Sequence, residues 1–199
     1  MHRRWLTFAV YLAAAFVAYH NCFNTPFVFD DAHHIVENAR IRSFWPVWPL
    51  LLESSRPLVQ FSLALNFAIS GLNVWSYHLL NVLVHLGAAC VLQGIVRRTL
   101  ERSGSERLER AAHGIAFTIA LLWLLHPLQT GSVTYIIQRG ESLMGLFCLL
   151  TLYCFIRSLE PNTRSTRWLS AAVLCCIFGL ASNRSWRSLP CWCFSTTEC

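Results

Sequence analysis

Lysine is absent from this chain, and charge of either sign is scarce. All 16 basic residues are arginine, 10 residues are acidic, and only 13% of positions carry a charge. A soluble globular domain carries about 25% charged residues, so the shortfall argues against a fold surrounded by water. The chain also lacks a Gly-rich phosphate loop, an H-E-x-x-H pair and a nucleophile elbow. Their absence removes the usual nucleotide-consuming, zinc-peptidase and serine-hydrolase readings. No pair of cysteines at zinc-ligand spacing is matched by a second pair, and Cys90, Cys148, Cys154, Cys175 and Cys176 sit inside apolar runs as small hydrophobes. Neither a metal site nor a disulfide framework is expected, and the adjacent His33 and His34 read as solvated loop residues. A net charge of +6 suits a polyanion, but the arginines fall in short connections between apolar runs. That distribution follows the topology rule for membrane proteins, so no nucleic-acid partner is expected.

What the chain does have is apolar length: 55% of residues are hydrophobic and the mean hydropathy is +0.44. About five spans are expected, near 5–19, 72–96, 111–125, 133–156 and 168–182. The second is uncharged over a stretch long enough to cross ~30 Å of hydrocarbon. The first follows His2-Arg3-Arg4 without a good cleavage site before Asn21, so it reads as a helix and not a removable leader. One side receives Arg3, Arg4, Arg97, Arg98, Arg102, Arg107, Arg110, Arg157, Arg164 and Arg167; the other receives Arg40, Arg42, Arg56 and Arg139. Ten against four places the N-terminus in the cytoplasm and the long loop 20–71 outside. Within that loop the Trp-rich segment Phe44–Leu52 suits a membrane interface, and Pro57–Ser70 is short for a span and reads as an interfacial or re-entrant helix.

Polar residues then need accounting for. Asp30, Asp31, Arg56, His78, Asn81, His126, Gln129, Arg139 and Glu141 all fall at or near the outer face in this topology, with His85 deeper. His78, Asn81 and His85 are spaced i, i+3, i+7 and share a helix face. Single polar residues of this kind often serve as interhelical glue. A set converging from four segments is better explained by an outward-facing polar cavity.

The segments Phe27-Val-Phe-Asp-Asp31, Ile35-Val-Glu-Asn38, Arg56-Pro-Leu58, Trp75-Ser-Tyr-His78-Leu-Leu-Asn81 with His85, His126-Pro-Leu-Gln129 and Val133-Thr-Tyr-Ile-Ile-Gln-Arg139-Gly-Glu141 carry a family pattern. In this order they resemble the polytopic O-mannosyltransferase-like glycosyltransferases, which include transmembrane-and-tetratricopeptide-repeat proteins and bacterial relatives. The resemblance covers roughly residues 5–182. It implies an all-α polytopic membrane protein, the N-terminal part of a GT-C-type helix bundle, in the bacterial inner membrane or a eukaryotic endoplasmic reticulum. It further implies transfer of a sugar, with mannose expected, from a polyprenyl-phosphate donor to a protein or glycan acceptor on the extracytoplasmic face. No cofactor is expected; a divalent cation is compatible with the reaction, but the sequence does not support one. Asp30 or Asp31 is then the expected catalytic base, and the two are not distinguished at this level. Arg56 and Arg139 are expected at the donor phosphate, since a guanidinium fork matches phosphate oxygens. His78 and His126 are expected to hydrogen-bond the leaving phosphate, with Gln129 beside them. Glu141 is expected to orient an arginine or meet the acceptor. Gly131 departs from the pattern, standing where relatives carry an acidic residue.

The competing readings are a non-enzymatic membrane protein, transporter-like or structural, and an inactive truncated fragment. Paired internal repeats and interrupted helices, which favour a transporter, are not evident. The segment Asn183–Cys199 breaks the last apolar run abruptly. A one-base shift near Ser182-Asn183 permits an apolar continuation, so this tail is expected to be out of frame or truncated.

Overall fold

The computed structural model describes residues 2–43, 45, 48, 54–161 and 163–182. The tail expectation at Asn183–Cys199 and most of the Trp-rich segment lie outside them. Among the described residues six helices of 14 residues or more form the fold: α1 (His2–Tyr19), α2 (Pro57–Ser70), α3 (Trp75–Glu101), α4 (Glu106–Leu124), α5 (Arg139–Ser158) and α6 (Ser165–Ser182), with no strand.

Four stretches are long and apolar enough to cross a membrane: Trp5–Asn24, Trp75–Glu101, Ile136–Ser158 and Ser165–Ser182. Glu106–Leu124 with Pro127–Thr134 makes a fifth if the pair, bent by 53°, counts as one span. The protein is therefore an all-α polytopic membrane protein. Helix α2 has 14 residues and is short for a span.

Local chemistry sets the ends. Pro57 opens α2 at the position where its missing N–H costs nothing. Gly71 closes it at φ +58°, a conformation that side chains disfavour. Glu106 and Glu109 occupy the first turn of α4, where carboxylates favour the helix dipole. That helix starts earlier than its apolar run because these charged residues still suit a helix end. It stops at Leu124 because His126, preceding Pro127, is held extended. The apolar stretch 133–156 is not one continuous helix. A helical turn Thr130–Thr134 and a 3-10 turn Ile136–Gln138 meet at an extended Tyr135 before α5 begins.

Two buried clusters hold the bundle. One joins Ile35 and Ile41 of the outer loop to Val59 and Leu63 of α2, Tyr77 and Val84 of α3, and Ile136, Ile137 and Leu143. The other joins Tyr11, Ala15 and Tyr19 of α1 to Val82, Leu86 and Ala89 of α3 and to Ala120 and Leu124 of α4. Ala112, Ala116 and Ala120 form a small-residue stripe on α4, which permits close approach without a hydrophobic drive from lipid. Where α4 breaks, the carbonyl of Leu124 has no helical partner and accepts from Tyr19 Oη at 2.9 Å and His85 Nε2 at 3.0 Å.

Candidate functional site

The acidic pair sits in a backbone that local preference does not explain. Phe29, immediately before it, has φ +49° and is 88% exposed. An aromatic residue in the left-handed region costs about 1–3 kcal/mol and persists only where its surroundings impose it. The turn after the pair, Ala32–Val36, is π-helical, a geometry frequent at functional sites. The imposing contacts come from the segment beyond the bent helix pair. The Asp30 N–H donates to Tyr135 Oη at 3.2 Å, and the Tyr135 ring meets Phe29 edge-on at 6.4 Å.

The two carboxylates have different surroundings. Asp31 is 1% exposed and accepts from the Ile137 N–H at 2.9 Å and the Val28 N–H at 3.3 Å. It ties the outer loop to the turn preceding α5. Burial pushes its carboxyl above the ordinary value, and the two backbone N–H groups offset this only in part. Asp30 is exposed, and its own carbonyl lies 3.1 Å from His34 Nδ1. Beside it a cavity of about 420 Å3 is lined by His33, His34, Asn38, Arg40 and Gln60 among others. Asn38 Nδ2 donates to Gln60 Oε1 at 3.0 Å, joining the loop to α2 across this cavity.

Arg139 lies elsewhere in character. It is 0% exposed and donates through Nε to Asn81 Oδ1 at 2.8 Å and through Nη1 to Asn66 Oδ1 at 2.7 Å and Ser62 Oγ at 3.2 Å. Its Nη2 donates to the Tyr77 carbonyl at 2.9 Å. These four protein acceptors come from α2 and α3, so the guanidinium fastens three helices together. Asn81 Nδ2 lies 3.3–3.5 Å from the carbonyls of Val133, Tyr135 and Ile136; those of Tyr135 and Ile136 also accept from the N–H groups of Gln138 and Arg139.

The single outward cavity expected from the sequence is thus divided. Asn81 and Arg139 belong to a buried hydrogen-bonded core, because burial in the bundle makes protein acceptors the substitute for water. His78 is buried too: its Nε2 lies 3.1 Å from the Thr25 carbonyl and therefore donates, and its Nδ1 is buried without a hydrogen bond. Asp30, His126 and Glu141 are exposed, and Gln129 is half-buried. His126 Nδ1 accepts from the Leu128 N–H at 3.2 Å and caps the turn Pro127–Gln129. Arg56 is half-buried over the first turn of α5; its Nη1 would lie 3.6 Å from a Cβ placed on Gly140.

Sequence pattern alone does not single out Tyr135, Tyr77, Ser62 and Asn66 as site residues. Tyr135 lies inside one of the family motifs, so its position carries a usable signal. Ser62 and Asn66 are visible only as polar interruptions of an apolar helix. Among the described residues no group of three or more His, Cys, Asp or Glu is placed to hold a metal ion.

Comparison with known proteins bears out the family resemblance. The chain is 31% identical over 183 residues to mouse "Protein O-mannosyl-transferase TMTC2", matching 82% of this chain and 20% of that protein. It is 30% identical to the human protein of the same name, with the same coverage, and 28% identical to Drosophila melanogaster "Protein O-mannosyl-transferase Tmtc3", matching 84% of this chain and 21% of that protein. The chain spans about a fifth of the length of these curated relatives. No family model and no solved structure matches it.

Proposed function

We propose that this relative of the protein O-mannosyl-transferases, similar to them over 82% of its length, contributes the acidic outer-loop portion of a membrane glycosyltransferase. In this reading the helices form the N-terminal part of a GT-C-type bundle. The sugar is mannose, the donor a polyprenyl phosphate and the acceptor a hydroxyl on the extracytoplasmic face. The observation that carries it is the strained, exposed Phe29-Asp30 segment, pinned to Tyr135 and flanked by a polar cavity.

Asp30 is the base. It takes the acceptor hydroxyl proton as that oxygen bonds to the anomeric carbon and the bond to the lipid phosphate breaks, with polyprenyl phosphate leaving. A base must reach the acceptor, and of the pair only Asp30 is exposed. Asp31 is a positioning residue, holding the loop on Ile137. Arg56 meets the donor phosphate, where a guanidinium fork and the first turn of α5 both favour anionic oxygens. Exposed His126 and Glu141 remain within the proposed outer site, while His78 and Arg139 support it from below.

The test is mannose transfer from a polyprenyl-phosphate donor in membranes containing the protein. Asp30→Asn keeps shape but removes the basic carboxylate, so transfer falls about 10²–10⁴-fold with membrane abundance unchanged. Asp31→Asn lowers abundance or thermal stability first. Full transfer by Asp30→Asn, or no transfer by the parent protein, contradicts the reading.

A further inference from the structure

The opposite end of the bundle holds a second polar cavity that the proposed transfer does not use. About 210 Å3 in volume, it opens between α1, α3, α4 and α5. Its polar lining includes Gln93, Arg97, Arg98 and His113, and its apolar lining includes Phe8 and Tyr153. Gly94 makes room for it: a Cβ there would meet Tyr153 Cε2 at 2.7 Å. The Tyr153 ring therefore lies against α3 and carries the Arg98 guanidinium 4.6 Å above its centroid.

The two arginines are not equally committed. Arg98 donates to Glu160 at 3.0 Å and to the Gly94 carbonyl at 3.1 Å. Arg97 forms an ion pair with Glu101 through its buried Nε at 3.3 Å, a contact without hydrogen-bond geometry, and makes no other ion pair among the described residues. Among the described residues Arg97, Arg98, Arg102 and Arg157 pair with just two carboxylates, Glu101 and Glu160, so positive charge is in excess. His113 also lines a neighbouring groove of about 690 Å3 with Gly114, Ile115, Thr118 and Ile119. An anion site that shares His113 with an apolar groove along one face of the membrane helix α4 has the chemistry of a lipid headgroup and its chain.

We propose that this cavity binds the phosphodiester headgroup of an anionic phospholipid, with Arg97 and His113 as its ligands and an acyl chain lying along the α4 groove. The lipid bridges α1, α3 and α4 at the arginine-rich end and supplies the negative charge that Glu101 and Glu160 do not.

The full chain in zwitterionic detergent is titrated with dioctanoyl phosphatidylglycerol, dioctanoyl phosphatidylcholine or inorganic phosphate, reading the unfolding midpoint. Phosphatidylglycerol raises the midpoint saturably, and the other two do not at the same concentration. Arg97→Gln weakens that response about tenfold, the value of one charge-assisted hydrogen bond. The exposed Arg164, outside the cavity, tolerates Gln. Should Arg97→Gln fail to fold, His113→Gln is read in the same way and is expected to weaken the response. An equal shift with phosphatidylcholine or with phosphate overturns the lipid assignment, as does wild-type affinity in the folded cavity variant or equal loss in Arg164→Gln.

Discussion

At the scale of single residues, Arg139 shows how a buried cation is held by dipoles in place of a carboxylate. Four acceptors on two helices match its planar fork, a geometry that a lysine ammonium does not reproduce. Arg139→Lys is therefore expected to lower the unfolding midpoint and membrane abundance, at about 1–3 kcal/mol for each acceptor left without a donor. Arg56→Lys is expected instead to weaken donor binding roughly tenfold to hundredfold while leaving abundance unchanged. The exposed Arg107 serves as the tolerant control for both, and equal tolerance at all three positions removes the distinction. Asp31 adds a pH signature. Its folded carboxyl is raised by burial, so the folded state binds the proton more tightly than the unfolded chain. The stability it contributes is fully present below the ordinary carboxylate value and is lost as pH rises through the raised one. Thermal unfolding across the acidic range is expected to show this fall, and Asp31→Asn to flatten it.

At the scale of elements, the long uncharged runs were legible because nothing within α3 or α6 competes with a helix. The break at Tyr135 was not, since Val133–Ile156 reads as one apolar stretch; Asn81, more than fifty residues earlier, adds a side-chain donor to the carbonyls around the break. For the same reason the acidic motif was legible but its division of labour was not. Which carboxylate is buried depends on Ile137 N–H, over a hundred residues away in sequence. Arg139 was legible as a costly intramembrane charge, yet its partners Ser62 and Asn66 lie on a helix that periodicity alone does not dock. The alanine stripe of α4 makes a prediction at this scale. Ala116 is fully buried against its neighbours, so Ala116→Leu is expected to destabilise by about 1–3 kcal/mol through overpacking. Thermal unfolding in detergent checks it, and an unchanged midpoint contradicts the close α4 packing.

At the scale of the whole molecule, polar chemistry is separated along the bundle. The acidic pair, Tyr135 and Arg56 gather at one end, while Arg97, Arg98, Arg102 and Arg157 gather with Glu160 at the other. The proposed transfer requires the first end to face outward and the arginine-rich end to face the cytoplasm, as the positive-inside rule expects. The direct measurement is labelling of intact cells with an impermeant thiol reagent, scored as the gain over the parent chain. Ala32→Cys, on the exposed turn after Asp31, is expected to gain label. Ser103→Cys, in the connection between α3 and α4, is expected to gain none until the membrane is permeabilised. The reverse pattern would put the acidic loop on the wrong face and contradict the orientation and the transfer site together.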